Sequence, residues 1–133
     1  MPFNLEVSFP GGKRVDVQMD DVLVRTDQSV KHGGEGSAPD PFTLFLSSIA
    51  ACAGVYALSF CQARNISTQG LGLSLSSDYD EKTKLCGRMV LTLALPKEFP
   101  EKYREAIVRA MDQCTVKRNL LNPPQIEIQV QPA

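Results

Sequence analysis

A chain of 133 residues with 14 basic and 15 acidic side chains has a formal net charge of −1, which argues against a nucleic-acid partner. Apolar residues at 43% and charged residues at 22% are ordinary for a soluble globular protein. The length suits one domain, 1–133, small enough to need a second chain if a long apolar helix has to be covered. No positively charged N-terminal region precedes an apolar segment, so no signal peptide is expected and a cytoplasmic setting follows.

Asn4 to Phe9 alternates polar and apolar residues, Pro10-Gly11-Gly12 turns the chain, and Val15, Val17 and Met19 repeat the alternation. This pattern predicts a β-hairpin. Asp20-Asp21 turns the chain again into a third short strand, Val22–Thr26. Residues 27–39, DQSVKHGGEGSAP, form a glycine-rich polar loop of a length that often serves a site.

The uncharged run Pro41–Ala63 then predicts one long helix. Asp40 caps its start and Pro41 takes the first helical position, where a missing N–H costs nothing. At 1.5 Å per residue it is ~35 Å long, and it is apolar nearly all round, so it must be wrapped by protein or lipid. Five hydroxyl residues, Gln62, Gly54 and flanks without a Lys/Arg asymmetry set the membrane reading aside.

Beyond Gly70, Leu71, Leu73 and Leu75 alternate with small polar residues. After a charged turn, Leu85, Met89, Leu91, Leu93 and Leu95 keep a period of two. In Pro100–Gln113 the stripe Tyr103, Ile107, Ala110, Met111 predicts a second helix, with Cys114 closing it. Asn122-Pro123-Pro124 stops the helix, and Ile126, Ile128 and Val130 suggest a last strand. The order predicts an α+β fold of antiparallel sheets with helices on one side, around the long central helix.

The four cysteines, Cys52, Cys61, Cys86 and Cys114, contain no C-x-x-C, and the one histidine is His32, so no metal site and no metal cofactor are expected. Without a secretory signal they read as reduced thiols. Cys61 lies on the face of the long helix opposite Cys52, which rules out a bond between those two. Cys52 and Cys114 both point inward from different helices. Spacing alone leaves open whether they meet.

GSAPDPFTLFLSSIAACAG, followed some sixty residues later by DQCTVKRNL, resembles the OsmC/Ohr family (osmotically inducible protein C and organic hydroperoxide resistance protein). The family helix has the general form P-E-x-L-x-x-A-x-x-A-C, one position shorter than Pro41–Cys52, onto which it is read here, and Cys114–Asn119 is similar to the context of its second cysteine. The resemblance implies an intertwined homodimer with the long helices packed together and two sites at the interface. It also implies a thiol peroxidase without metal or flavin, with Cys52 peroxidatic, Cys114 resolving, and an external dithiol as reductant.

Phe42 stands where the family has a glutamate that holds an arginine. Arg14, or Lys13 beside it, is where the family's arginine falls, and Asp40 and Glu35 are the carboxylates nearest in sequence to orient it. Phe42, Phe45, Ile49 and Tyr56 are the apolar candidates for contact with an organic hydroperoxide. A second reading is a non-catalytic dimer of the same fold that binds an apolar small molecule in the interface cleft.

Overall fold

The computed structural model describes residues 3–132. Its elements follow in the order β1 (Glu6–Gly11), β2 (Arg14–Met19), β3 (Val22–Thr26), α1 (Pro41–Ala63), β4 (Gly72–Asp80), β5 (Leu85–Ala94), α2 (Arg104–Met111) and α3 (Thr115–Leu121). The sheets are antiparallel and the class is α+β, as the alternating patterns predict. Two compact units divide at Ser47/Ser48.

In the first unit, β1, β2 and β3 form a meander in that order. Gly12 and Lys13 make the first turn, with Gly12 at φ 59°, a conformation that favours a residue without Cβ. Asp20-Asp21 makes the second, between the paired Met19 and Val22. The polar loop behind β3 is built on Asp27, a residue only 1% exposed. Its carboxylate accepts the Ser37 hydroxyl at 2.6 Å and the backbone N–H groups of Ser37, Gln28 and Glu35. With Ser37 as the main donor, these bonds hold the carboxyl down at about 2 despite its burial. A Cβ on Gly34 would sit 2.1 Å from the Gln28 carbonyl oxygen, so the loop closes around Asp27 only with glycine there.

The second unit places one face of α1 over the β4–β5 ribbon and α2. Ala53, Ala57, Phe60, Cys61, Phe99, Ile107 and Met111 are buried together, with Leu73, Leu91 and Leu93 packed against them. The two strands pair Leu73 with Leu93 and Leu75 with Leu91, which gives the sheet its one apolar face. The opposite side of α1 carries Val55 and Leu58, both exposed. Among the described residues α1 is the one helix long and apolar enough to cross a membrane, a test that a core helix of this length also passes.

Three expectations need correction. The period of β5 breaks at Gly87, where the pairing goes from Asp78–Arg88 to Tyr79–Cys86. The extra residue reverses the side-chain phase, so Leu85 is 66% exposed and Cys86 is half-buried. The helical stretch near residue 113 is two helices, α2 and then α3 after a tight turn in which Cys114 N–H bonds Met111 O at 3.1 Å. Finally, residues 123–132 form no strand, and Ile126, Ile128 and Val130 are 82%, 93% and 96% exposed. An alternating segment becomes a strand only when a sheet edge takes up its backbone groups. None does so among the described residues.

Candidate functional site

The two inward thiols meet. Cys52 sits three turns into α1, and Cys114 is the N-cap of α3, at φ −47° and ψ 129°. Cys114 is 2% exposed and Cys52 half-buried, and both are free. The Cys114 S–H donates to the Cys52 sulfur, and the backbone N–H groups of Val116 and Thr115 converge on that same sulfur.

Their electrostatic situations are opposite. The Cys114 hydrogen bond is the largest influence on Cys52 and lowers its pKa. The Val116 N–H adds to this, burial works against it, and the Thr115 N–H helps. Burial pushes the Cys114 thiol up, and its bond to Cys52 pushes the same way, more than the Lys117 and Val116 N–H groups offset. The arrangement therefore favours one thiolate, on the more exposed sulfur, beside one neutral thiol. A thiolate is the nucleophilic form of cysteine, and a neighbouring thiol in contact is what it needs to close a disulfide.

The α1 N-terminus is too far from Cys52 to act on it. The helix N-terminus that does act belongs to α3, an element the sequence reading passed over. The signal for it was present, since the seven residues from Thr115 to Leu121 contain neither glycine nor proline and end at Asn122-Pro123-Pro124.

The other predicted residues divide between the two units. Tyr56 lies in the second, and its hydroxyl is 3.1 Å from Thr115 Oγ1. Ile49 is buried. In the first unit, Phe42 and Phe45 form a tilted pair with ring centroids 5.5 Å apart. Arg14 Nε donates to the Gly11 carbonyl at 3.2 Å, across the hairpin turn that Lys13 helps to form. Glu35 is bound through its backbone N–H to Asp27. Asp40 caps α1, accepting the Thr43 N–H at 2.7 Å, and this bond holds its carboxyl below the usual range. Cys61 is fully buried and its pKa is raised by desolvation.

The chain is thus an α+β protein with a half-buried thiol on a long apolar helix, facing a second thiol at the head of a short one. The model of the OsmC-like protein family matches residues 34–129, and the chain belongs to that family. No curated protein matches it in sequence. Among solved structures it is similar to an osmotic stress induced and detoxification response protein of Psychrobacter arcticus 273-4, with TM-score 0.75, 17% identity, and 86% of this chain and 85% of that one covered. The OsmC-like protein of Mycoplasma pneumoniae follows at 0.71 and 15%, over 92% and 89%. An organic hydroperoxide resistance protein of Legionella pneumophila follows at 0.60 and 19%, over 89% of each. At such identities these likenesses speak for the fold.

Proposed function

We propose that the chain is a dithiol peroxidase that reduces organic hydroperoxides. The observation that carries this reading is the Cys52–Cys114 contact, with its opposed influences on the two thiols. Family membership and a hydroperoxide resistance protein among the structural neighbours agree with it.

In the proposed cycle the Cys52 thiolate attacks the peroxide O–O bond. Cysteine becomes sulfenic acid, and the departing alkoxide takes up a proton to become an alcohol. The Cys114 thiol then attacks the sulfenic sulfur, forming the Cys52–Cys114 disulfide and releasing water. An external dithiol restores both thiols by exchange and is itself oxidised. Phe42, Phe45 and Ile49 supply the apolar contacts of the reading, and Arg14 its cation. Asp40, whose Oδ1 also caps α1, or Glu35 is the carboxylate to orient that cation.

One equivalent of cumene hydroperoxide is expected to convert the reduced protein to a form with one Cys52–Cys114 disulfide per chain, read by peptide mapping. A bond from Cys52 to Cys61 or Cys86 would reject the assignment.

The reading includes a homodimer. Val55 and Leu58 on α1 and the alternating apolar residues of the C-terminal segment are exposed, and a second copy would cover them. Light scattering at micromolar concentration is expected to give twice the chain mass. A well-folded monomer under those conditions removes the shared interface.

A further inference from the structure

Tyr56 stands one turn beyond Cys52 on α1, so the two side chains leave the helix on the same face. Its hydroxyl lies 3.1 Å from Thr115 Oγ1. Thr115 opens α3, and its own backbone N–H is one of the donors on the Cys52 sulfur. One residue therefore touches both Tyr56, through its side chain, and Cys52, through its backbone.

The other bonds around the head of α3 are local. Arg118 N–H bonds Cys114 O at 3.0 Å and Asn119 Nδ2 bonds Thr115 O at 2.9 Å, both within the helix turn. Arg118 Nη2 reaches Gln113 Oε1 at 2.8 Å, and Lys117 Nζ reaches the Asp112 carboxylate. These bonds shape α3 and its joint with α2. They do not tie it to α1.

The sulfur pair and the Thr115 and Val116 N–H groups do tie the two helices, but all of these contacts end on the Cys52 sulfur, which changes at every step of the proposed cycle. In the sulfenic state the S–H···S bond is gone, and Cys114 must still be within reach. A link that persists through the chemistry has to come from elsewhere.

We propose that Tyr56 and Thr115 form a positioning pair that holds the head of α3 on α1, keeping the Thr115 and Val116 N–H groups on the Cys52 sulfur and Cys114 in reach of it. The proposal rests on the reading of Cys52 as the reacting thiol. It also reassigns Tyr56, expected from the sequence to contact the peroxide.

Two properties follow from the pair. Losing it lets the donors drift from the thiolate, so less thiolate forms at a given pH. It also slows the approach of Cys114, so a second peroxide oxidises more of the sulfenic acid to sulfinic acid.

The test compares Tyr56→Phe, Thr115→Val and Thr115→Ser with the wild type. Thiolate is titrated by its ultraviolet absorbance, with alkylation followed at the Cys52 peptide, and neither measurement uses peroxide. Tyr56→Phe and Thr115→Val are each expected to raise the Cys52 midpoint, giving about threefold to tenfold less thiolate on the rising limb. The double variant should shift no further than either single one, because both remove the same link. Thr115→Ser, which keeps the hydroxyl, should titrate as the wild type does. Sulfinic acid at excess cumene hydroperoxide should increase in the two shifted variants.

An unmoved midpoint in either single variant overturns the proposal, and so does a double variant equal to the sum of the two. A shift confined to Tyr56→Phe reassigns that ring to packing or substrate contact and overturns it as well. If Tyr56→Phe fails to fold, Thr115→Val against Thr115→Ser decides alone. Shifted midpoints in the variants of a wild type that consumes no peroxide leave the positioning pair standing and remove the peroxidase reading instead.

Discussion

Cys52→Ser is expected to abolish hydroperoxide consumption, leaving the rate of the reagents without protein. A serine hydroxyl at neutral pH offers no nucleophile comparable to a thiolate, and no other cysteine of the second unit can take its place. Cys61 is fully buried with a raised pKa. Cys86 lies beyond the bulge of β5, paired with Tyr79. Cys114→Ser should behave differently. It keeps Cys52 and consumes one equivalent of peroxide, then stops at sulfenic acid and becomes open to over-oxidation. The two variants together separate the attacking thiol from the resolving one. Mass spectrometry after one equivalent of cumene hydroperoxide reads the outcome: no oxygen added in the first case, one in the second. Continued turnover by Cys114→Ser with a dithiol that reacts only with disulfides would overturn the assignment of roles.

The second large effect concerns pH. Cys52 carries a lowered pKa, so its reactive form accumulates as pH rises through a midpoint below that of an ordinary thiol and then saturates. Cys114, pushed the other way, stays neutral over that range. The rate should therefore climb with pH and reach a plateau, without falling in the neutral region. Cys114 is the largest support of the Cys52 thiolate, through a hydrogen bond to a charged sulfur. Such bonds contribute ~1.5–3 kcal/mol. Cys114→Ala removes that donor and should reduce thiolate on the rising limb roughly tenfold or more. Cys114→Ser retains an O–H donor and should lose much less. Thiolate of higher pKa is also somewhat more nucleophilic, so the titration itself is the measurement to trust over the rate. Equal midpoints in Cys114→Ala and the wild type would mean that the sulfur contact does not hold in solution. Arg14→Ala belongs in the same series. If the guanidinium supports the thiolate as the reading supposes, its loss adds to that of Cys114, and an unmoved midpoint makes Arg14 a hairpin residue bonded to Gly11.

The bland alternative is a pair of idle thiols in a small core. It predicts a Cys52 midpoint at or above that of a free thiol, because burial alone raises the pKa. The structure opposes this at Cys52 through three donors, Cys114, Val116 and Thr115. At Cys61, where Arg64 is the one opposing influence, burial prevails.

The elements legible in the linear chain are those whose signals are local. Val22–Thr26 is a strand between its turns, Pro41–Ala63 is one helix behind the Asp40 cap, and the stripe Ile107, Met111, Cys114 faces inward. Periodicity and capping act within a few residues, so a linear reading captures them. It also showed two inward cysteines, which the family resemblance then paired.

What those cysteines meet depends on contacts distant in sequence. The donors on Cys52 come from residues 114–116, more than sixty positions away along the chain, and two of the three are backbone N–H groups, which no side-chain pattern records. The same holds for Asp27. Its sequence context is an ordinary polar loop, yet Ser37 and the backbone of Gln28 and Glu35 close around it. The bulge at Gly87 and the unpaired C-terminal segment were illegible for a related reason. A period of two states which residues share a face, but the phase of a strand, and whether it is a strand at all, depends on the edge it pairs with.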